Sequence, residues 1–150
     1  MVQAGDQAPD FEALTDTGGP ISLGSLRGKK VVLYFYPRDN TPGCTQEACD
    51  FRDRQELIQA KNAVVLGISP DSVKSHAGFR QKHGLPFTLI ADPEKEIAQK
   101  YGVYREKTLY GKKSLGIVRT TFILDDQGCV QKVYDGIRVK GHADAVLEDL

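Results

Sequence analysis

Apolar and polar residues along the chain fall into short blocks, and the period changes from one block to the next. "FEAL", "TDTGGP" and "ISL" read as a strand, a turn and a strand, an N-terminal β-hairpin. "KKVVLYFYP" is a nearly unbroken apolar run ended by Pro37, the pattern of a strand covered on both faces. From Thr41 to about Ala60 the signals turn helical: Pro42 follows a capping threonine, and "CTQEACDFRDRQELIQA" contains no breaker. "AVVLGISP" predicts a second buried strand, "SVKSHAGFRQKHG" a helix closed by Gly84, "FTLIAD" a strand and "PEKEIAQKYG" a short helix. "VYREKTLYGKKS" holds no clear period and reads as a looser stretch. It leads into "LGIVRTTFILDDQGCVQKVY", two strands about an Asp-Gln-Gly turn, and "GHADAVLEDL" suggests a last helix. Strands alternating with helices and ending in a hairpin predict an α/β protein whose central mixed sheet is flanked by helices on both faces.

That element order is the plan of a thioredoxin-like fold. No repeat, linker or low-complexity segment divides residues 1–150, so a single domain is expected. A chain of 150 residues buries roughly 70% of its unfolded surface, enough for a core without disulfide staples. Charge is balanced, 20 Lys plus Arg against 20 Asp plus Glu, which leaves no basic footprint for nucleic acid. No apolar run is long enough to span a bilayer, and "MVQAGDQAPDF" has neither the basic nor the apolar region of a secretory leader. A cytoplasmic protein without membrane contact is expected. In a reducing compartment three cysteines, an odd count, point to a catalytic rather than a structural disulfide.

Two of those cysteines stand five apart in "TPGCTQEAC". With Thr41 as N-cap, Pro42 is the first helical residue and Cys44 the third. There the unpaired N–H groups and the positive end of the helix dipole favour a thiolate. Free cysteine titrates near ~8.5, and such sites bring it to roughly 3.5 to 7.5. The same residues have a plainer reading, in which Thr41 is only a cap, Pro42 only a helix starter and Cys44 a small buried apolar side chain. Local spacing leaves both readings open. Cys49 shifts the balance, because a second thiol near a thiolate is what a redox centre needs to return from an oxidised state.

The motif Pro37-x-x-x-Thr41-x-x-Cys44 resembles the signature of the peroxiredoxins, and "YFYPRDNTPGCTQEACDFRD" is similar to their bacterioferritin comigratory protein, or Q-type, branch. The likeness runs from "GDQAPDF" through "GISPDS" and "YGV" to "VRTTFILDDQG". It implies a thiol peroxidase that reduces hydrogen peroxide and organic hydroperoxides with no metal and no bound cofactor. By the same resemblance Cys44 is the peroxidatic cysteine, whose thiolate attacks a peroxide oxygen and becomes a sulfenic acid. Thr41 would orient thiolate and peroxide, Pro37 would shield the site from solvent, and Arg119 would stabilise charge as the O–O bond breaks. Cys49 resembles the resolving cysteine, which closes a disulfide that a thioredoxin-type dithiol reductant reopens. A resolving thiol in the same helix removes the need for a partner subunit, so a monomer is expected. A peroxide-sensing switch without sustained turnover is the alternative.

Other residues carry less. Arg119 alternates with Ile117 and Thr121 along an apolar strand, so it is expected to face inward, where it needs an anionic partner. Glu47, one turn beyond Cys44, either holds that guanidinium or is simply an acid near a helix start. Cys129, after the "DDQG" turn, matches no functional position of the branch and reads as packing. His76, His83 and His142 are expected to be solvated. A thioredoxin-type reductase would need Cys-x-x-Cys where this chain has Cys-x4-Cys, and a cysteine hydrolase would need a histidine base that sequence does not place. In a continuous helix, residues five apart have Cα atoms roughly 8 to 9 Å apart. A disulfide tolerates about 7 Å at most, so an intact helix from Pro42 through Cys49 is expected in the reduced protein and its unwinding on oxidation.

Overall fold

A computed structural model describes residues 1–150. The buried run after Lys29 forms β3 (Lys30–Phe35), and it sits inside a sheet with six other strands: β1 (Glu12–Thr15), β2 (Pro20–Ser22), β4 (Ala63–Ser69), β5 (Thr88–Ala91), β8 (Thr120–Leu124) and β9 (Val130–Asp135). Their order is β2-β1-β5-β4-β3-β8-β9. β3, β4 and β5 run parallel, while β8 pairs antiparallel to β3 and β1 antiparallel to β5. The sheet is therefore mixed, as element order predicts, and the N-terminal hairpin is its edge.

Strand alternation in β3 divides the interior in two. Val31, Leu33 and Phe35 point into one core, where they meet Ile97 and Tyr101 of α4 (Glu96–Tyr101) and Phe122. Val32, Tyr34 and Tyr36 point into the other, against Ala48 and Phe51 of α1 (Pro42–Asp53), Ile58 of α2 (Gln55–Ala60), Phe79 of α3 (Val73–His83) and Val146 of α5 (His142–Asp149). Helices thus cover both faces, and no helix is long and apolar enough to cross a membrane.

Three expectations need correction. The helix predicted from Thr41 to about Ala60 is two helices meeting at Arg54, whose backbone (φ −109°, ψ 10°) leaves the helical path. Neither glycine nor proline marks the break; Arg54 there donates to the Asp50 carbonyl and pairs with Asp144 of α5 at 2.5 Å. The looser stretch is in fact a two-stranded ribbon, β6 (Tyr104–Leu109) paired with β7 (Lys112–Ile117). Its tip, Tyr110-Gly111, places both residues at positive φ, the conformation that a two-residue hairpin requires. Finally, "LGIVRTTFIL" is not one strand: β7 ends at Ile117 and β8 starts at Thr120, so Arg119 lies in the break.

Candidate active site

Helix α1 buries Cys44, Glu47, Ala48 and Phe51, a stripe at i, i+3, i+4 and i+7 that faces the sheet. That stripe brings Cys44 and Glu47 to the same side, against the break between β7 and β8. Arg119 fills the junction: Nη1 donates to Glu47 Oε1 at 2.6 Å and Nη2 to Cys44 Sγ at 3.3 Å. Gly43 permits the approach, since a Cβ there would lie 3.3 Å from Arg119 Nη2. The inward aim of Arg119 comes from the chain break rather than from strand alternation. Its carbonyl accepts from Ile137 N, and Thr120 Oγ1 donates to the Val118 carbonyl, which fixes the turn.

Electrostatically the cluster is a cation held between a carboxyl group and a thiol, almost out of water. Glu47 is 1% exposed and Cys44 2%, whereas the Arg119 side chain keeps 17% of its surface. Burial pushes the Glu47 carboxyl up to about 7 despite the arginine beside it, and Oε2 has no protein partner. Burial would lower the Arg119 pKa, but Glu47 and Cys44 together outweigh it and the value is raised. The guanidinium is therefore a fixed positive charge aimed at the sulfur, able to stabilise anionic oxygen or sulfur beside it.

The other predicted residues take different places. Thr41 stands at the N-cap of α1 with extended backbone, yet its hydroxyl caps nothing; it donates to the Arg38 carbonyl at 2.9 Å. Pro37 is half-buried and walls an open hollow of about 340 Å³ with Tyr104, Lys107, Leu115 and Ile117. Cys49 lies on α1 but off its buried stripe, partly exposed, and the whole of Pro42–Asp53 is one helix with all three cysteines free. Cys129 is remote, its Sγ facing Gln7 Oε1 at 3.3 Å.

Sequence reading missed several neighbours of this cluster. Lys107 reaches the site from the ribbon: its ammonium donates to the Ile117 carbonyl at 2.7 Å, and burial, aided by the charge of Arg119, lowers its pKa. The expectation of solvated histidines fails at two of three positions. His142 is buried, hydrogen-bonded to Thr121 Oγ1 at 2.9 Å, and burial with help from Arg119 lowers its pKa to about 4. His76 is wholly buried against Asp39 at 2.8 Å, and only His83, edge-on to Phe79, stays half-exposed. Asp39, Asp71 and His76 offer ligand atoms within 4.8 Å of one another, but each carboxylate already accepts internal hydrogen bonds, so the cluster reads as a network rather than as metal ligands.

Residues 4–133 match the AhpC/TSA family. The chain is 44% identical over 149 residues to the peroxiredoxin Bcp of Bacillus subtilis, a match that covers 99% of this chain and 95% of that relative. It is similar to the solved bacterioferritin comigratory protein of Xanthomonas campestris, with a TM-score of 0.88 and 40% identity, over 93% of this chain and 88% of that one. A variant of the PrxQ of Xylella fastidiosa matches with a TM-score of 0.93 and 33% identity, over 99% and 95% of the two chains. A buried thiol paired with an arginine on this sheet, together with relatives of one kind over nearly the full length, leads to a single conclusion: the chain belongs to the AhpC/TSA family as a peroxiredoxin of the Bcp, or Q-type, branch, a family of thiol-dependent peroxidases.

Proposed function

We propose that the protein reduces hydrogen peroxide and organic hydroperoxides through Cys44, resolves the product through Cys49 in the same chain, and is recycled by a thioredoxin-type dithiol protein. The observation that carries this reading is Arg119 Nη2, 3.3 Å from Cys44 Sγ, with its other arm on buried Glu47. The Cys44 thiolate attacks the terminal oxygen of R–O–O–H, the O–O bond breaks, and its electron pair leaves on RO⁻. The departing oxygen takes up the peroxide proton as ROH, and sulfur keeps the other oxygen as a sulfenate, which a second proton, from solvent, converts to the sulfenic acid. Arg119 stabilises the negative charge while it moves from sulfur to the leaving oxygen. Thr41 and Pro37, at the mouth of the helix, orient and shelter the peroxide. The relative from Xanthomonas campestris is described by its alkyl peroxide reduction activity, which favours organic hydroperoxides as substrates here.

Cys49 thiolate then attacks the sulfenic sulfur, hydroxide leaves as water with a proton, and a disulfide forms. In an unbroken helix the two Cα atoms stand roughly 8 to 9 Å apart, and a disulfide accepts about 7 Å at most. The first turns of α1 must therefore open before the bond closes, and reduction lets them rewind. Both reacting cysteines lie in one helix of one chain, which supports action as a monomer.

Purified protein mixed with peroxide and a thioredoxin system tests the whole reading. Sustained turnover is expected from the wild type, none from Cys44→Ser, and one sulfenic acid per chain with poor turnover from Cys49→Ser. Full turnover by Cys49→Ser would overturn the resolving role, and a single stoichiometric oxidation of the wild type would mark a sensing switch instead.

A further inference from the structure

The segment from Tyr36 to Thr41 carries the chain from β3 to the start of α1, so its geometry sets where Thr41 and Cys44 stand. It is held by an unusual amount of buried polar structure. Asp39, 4% exposed, accepts from Tyr36 Oη at 2.6 Å, from Ser75 Oγ at 2.8 Å and from His76 Nδ1 at 2.8 Å. His76 shows no exposed surface, and its other nitrogen, Nε2, lies 2.9 Å from the Ile90 carbonyl. A carbonyl only accepts, so Nε2 carries a hydrogen. Nδ1 faces a carboxyl group, so a single further proton is shared between ring and acid. Burial opposes ionisation of Asp39, but the three donors and the ring's charge outweigh it and hold its pKa below the usual range. That shared proton ties the imidazole and the carboxyl group together inside the protein.

From the backbone side the same residue is gripped again. Asp39 N donates to Asp71 Oδ2 at 2.8 Å, and that oxygen also accepts from Ser69 Oγ at 2.6 Å. Asn40 follows at φ 64°, a left-handed turn that Asn adopts more readily than most residues. Buried hydrogen bonds add only modest net stability, because the same groups bond water in the unfolded chain. Their value lies in direction, since these converging bonds are all satisfied in only one placement of the loop. We propose that Asp39 and His76 form a positioning pair which fixes the loop entering α1, so that Thr41 and the Cys44 thiolate return to one reactive geometry each time the helix rewinds.

This role rests on the peroxidase reading and acts through Thr41 and Cys44, not on the peroxide itself. The test compares two reactions of the same sulfur, at a pH where the thiol is ionised: attack on peroxide, which needs the surrounding groups aligned, and alkylation by iodoacetamide, which needs only the thiolate. Asp39→Ala, confirmed folded, is expected to slow peroxide attack about tenfold to a hundredfold while alkylation stays within about threefold, as for a misplacement of about 1 Å. Asp39→Asn can donate to Nδ1 of a neutral His76 and still accept from Tyr36, so it is expected to restore the peroxide rate to within about threefold of wild type. If Asp39→Ala does not fold, Asp71→Ala, at a half-buried position, releases the backbone grip and is expected to show the same selective loss. Equal loss of both reactions, or an unchanged peroxide rate in a folded variant that lacks these contacts, would overturn the proposal. A wild type that alkylates but never consumes peroxide would instead sink the peroxidase reading, and this role with it.

Discussion

Glu47 makes a quantitative prediction about stability. Its carboxyl is raised to about 7 in the folded protein from an ordinary 4.5, chiefly by burial. A carboxyl with a raised folded pKa costs stability once the unfolded chain has released its proton and the folded chain has not. The sign follows from proton counts. Below pH 4.5 both states hold the proton and there is no penalty; between 4.5 and 7 the folded state holds more, so stability falls as pH rises; above 7 the loss is complete. At 1.36 kcal/mol per unit, the loss from about pH 5 to about pH 8 amounts to about 2.5 kcal/mol.

Glu47→Gln removes the titration but keeps an acceptor for Arg119. The comparison is best made in a Cys44→Ser background, which removes the neighbouring thiol as a second ionisable group. Urea unfolding at half-unit steps then gives the stability of each protein. The protein that retains Glu47 is expected to lose about 2.5 kcal/mol relative to the Glu47→Gln variant across that span, steepest between about pH 5 and 7. The constant offset between the two curves reports the lost ion pair and carries no weight here. A difference that stays flat within about 0.5 kcal/mol would show that Arg119 holds Glu47 ionised throughout, and the account of the site's electrostatics would fail.

Two further outcomes are expected. Arg119→Met keeps much of the bulk at the break between β7 and β8, and the peroxide rate at its high-pH plateau should fall on the order of 10² to 10³, as when one charge-stabilising donor is removed; stopped-flow rates against pH decide it, and an unchanged plateau would place the guanidinium outside the reaction. Amide hydrogen exchange at residues 43–50 should be much faster in the disulfide form than in the thiol form, because the bond cannot close across a wound helix. Equal protection in both forms would refute the opening of α1.

What could be read from the chain was whatever depends on neighbours in sequence. The apolar run of β3, the Thr41-Pro42 helix start and the closing of α3 at Gly84 are local signals, and each appears where expected. Cys44 and Arg119, 75 residues apart, were paired through resemblance and through the need of an inward arginine for an anion, and they do meet. The ribbon β6–β7 stays hidden because its strands carry many charged residues and few buried ones, so no apolar alternation marks them. The histidines went wrong for a related reason. His76 is buried because of Asp39, 37 residues away, and His142 because of Thr121, 21 away; no local pattern announces either partner. The break at Arg54 likewise depends on Asp144, 90 positions on.

The alternation of β3 has one more consequence, for how the redox state is communicated. Cys44, α1 and its packing partners Phe79, Ala143 and Val146 belong wholly to the core on one side of the sheet, while Phe35, Tyr101 and Phe122 fill the other. A seven-stranded sheet between them acts as a bulkhead. If α1 opens as proposed, the disturbance would spread sideways to α3 and α5 but meet hydrogen-bonded backbone before reaching α4. The oxidised and reduced proteins would then differ in appearance on a single side, and a reductant that tells them apart would have only that side to read. The far side would present the same surface in both states, which would leave it free to be the molecule's constant address.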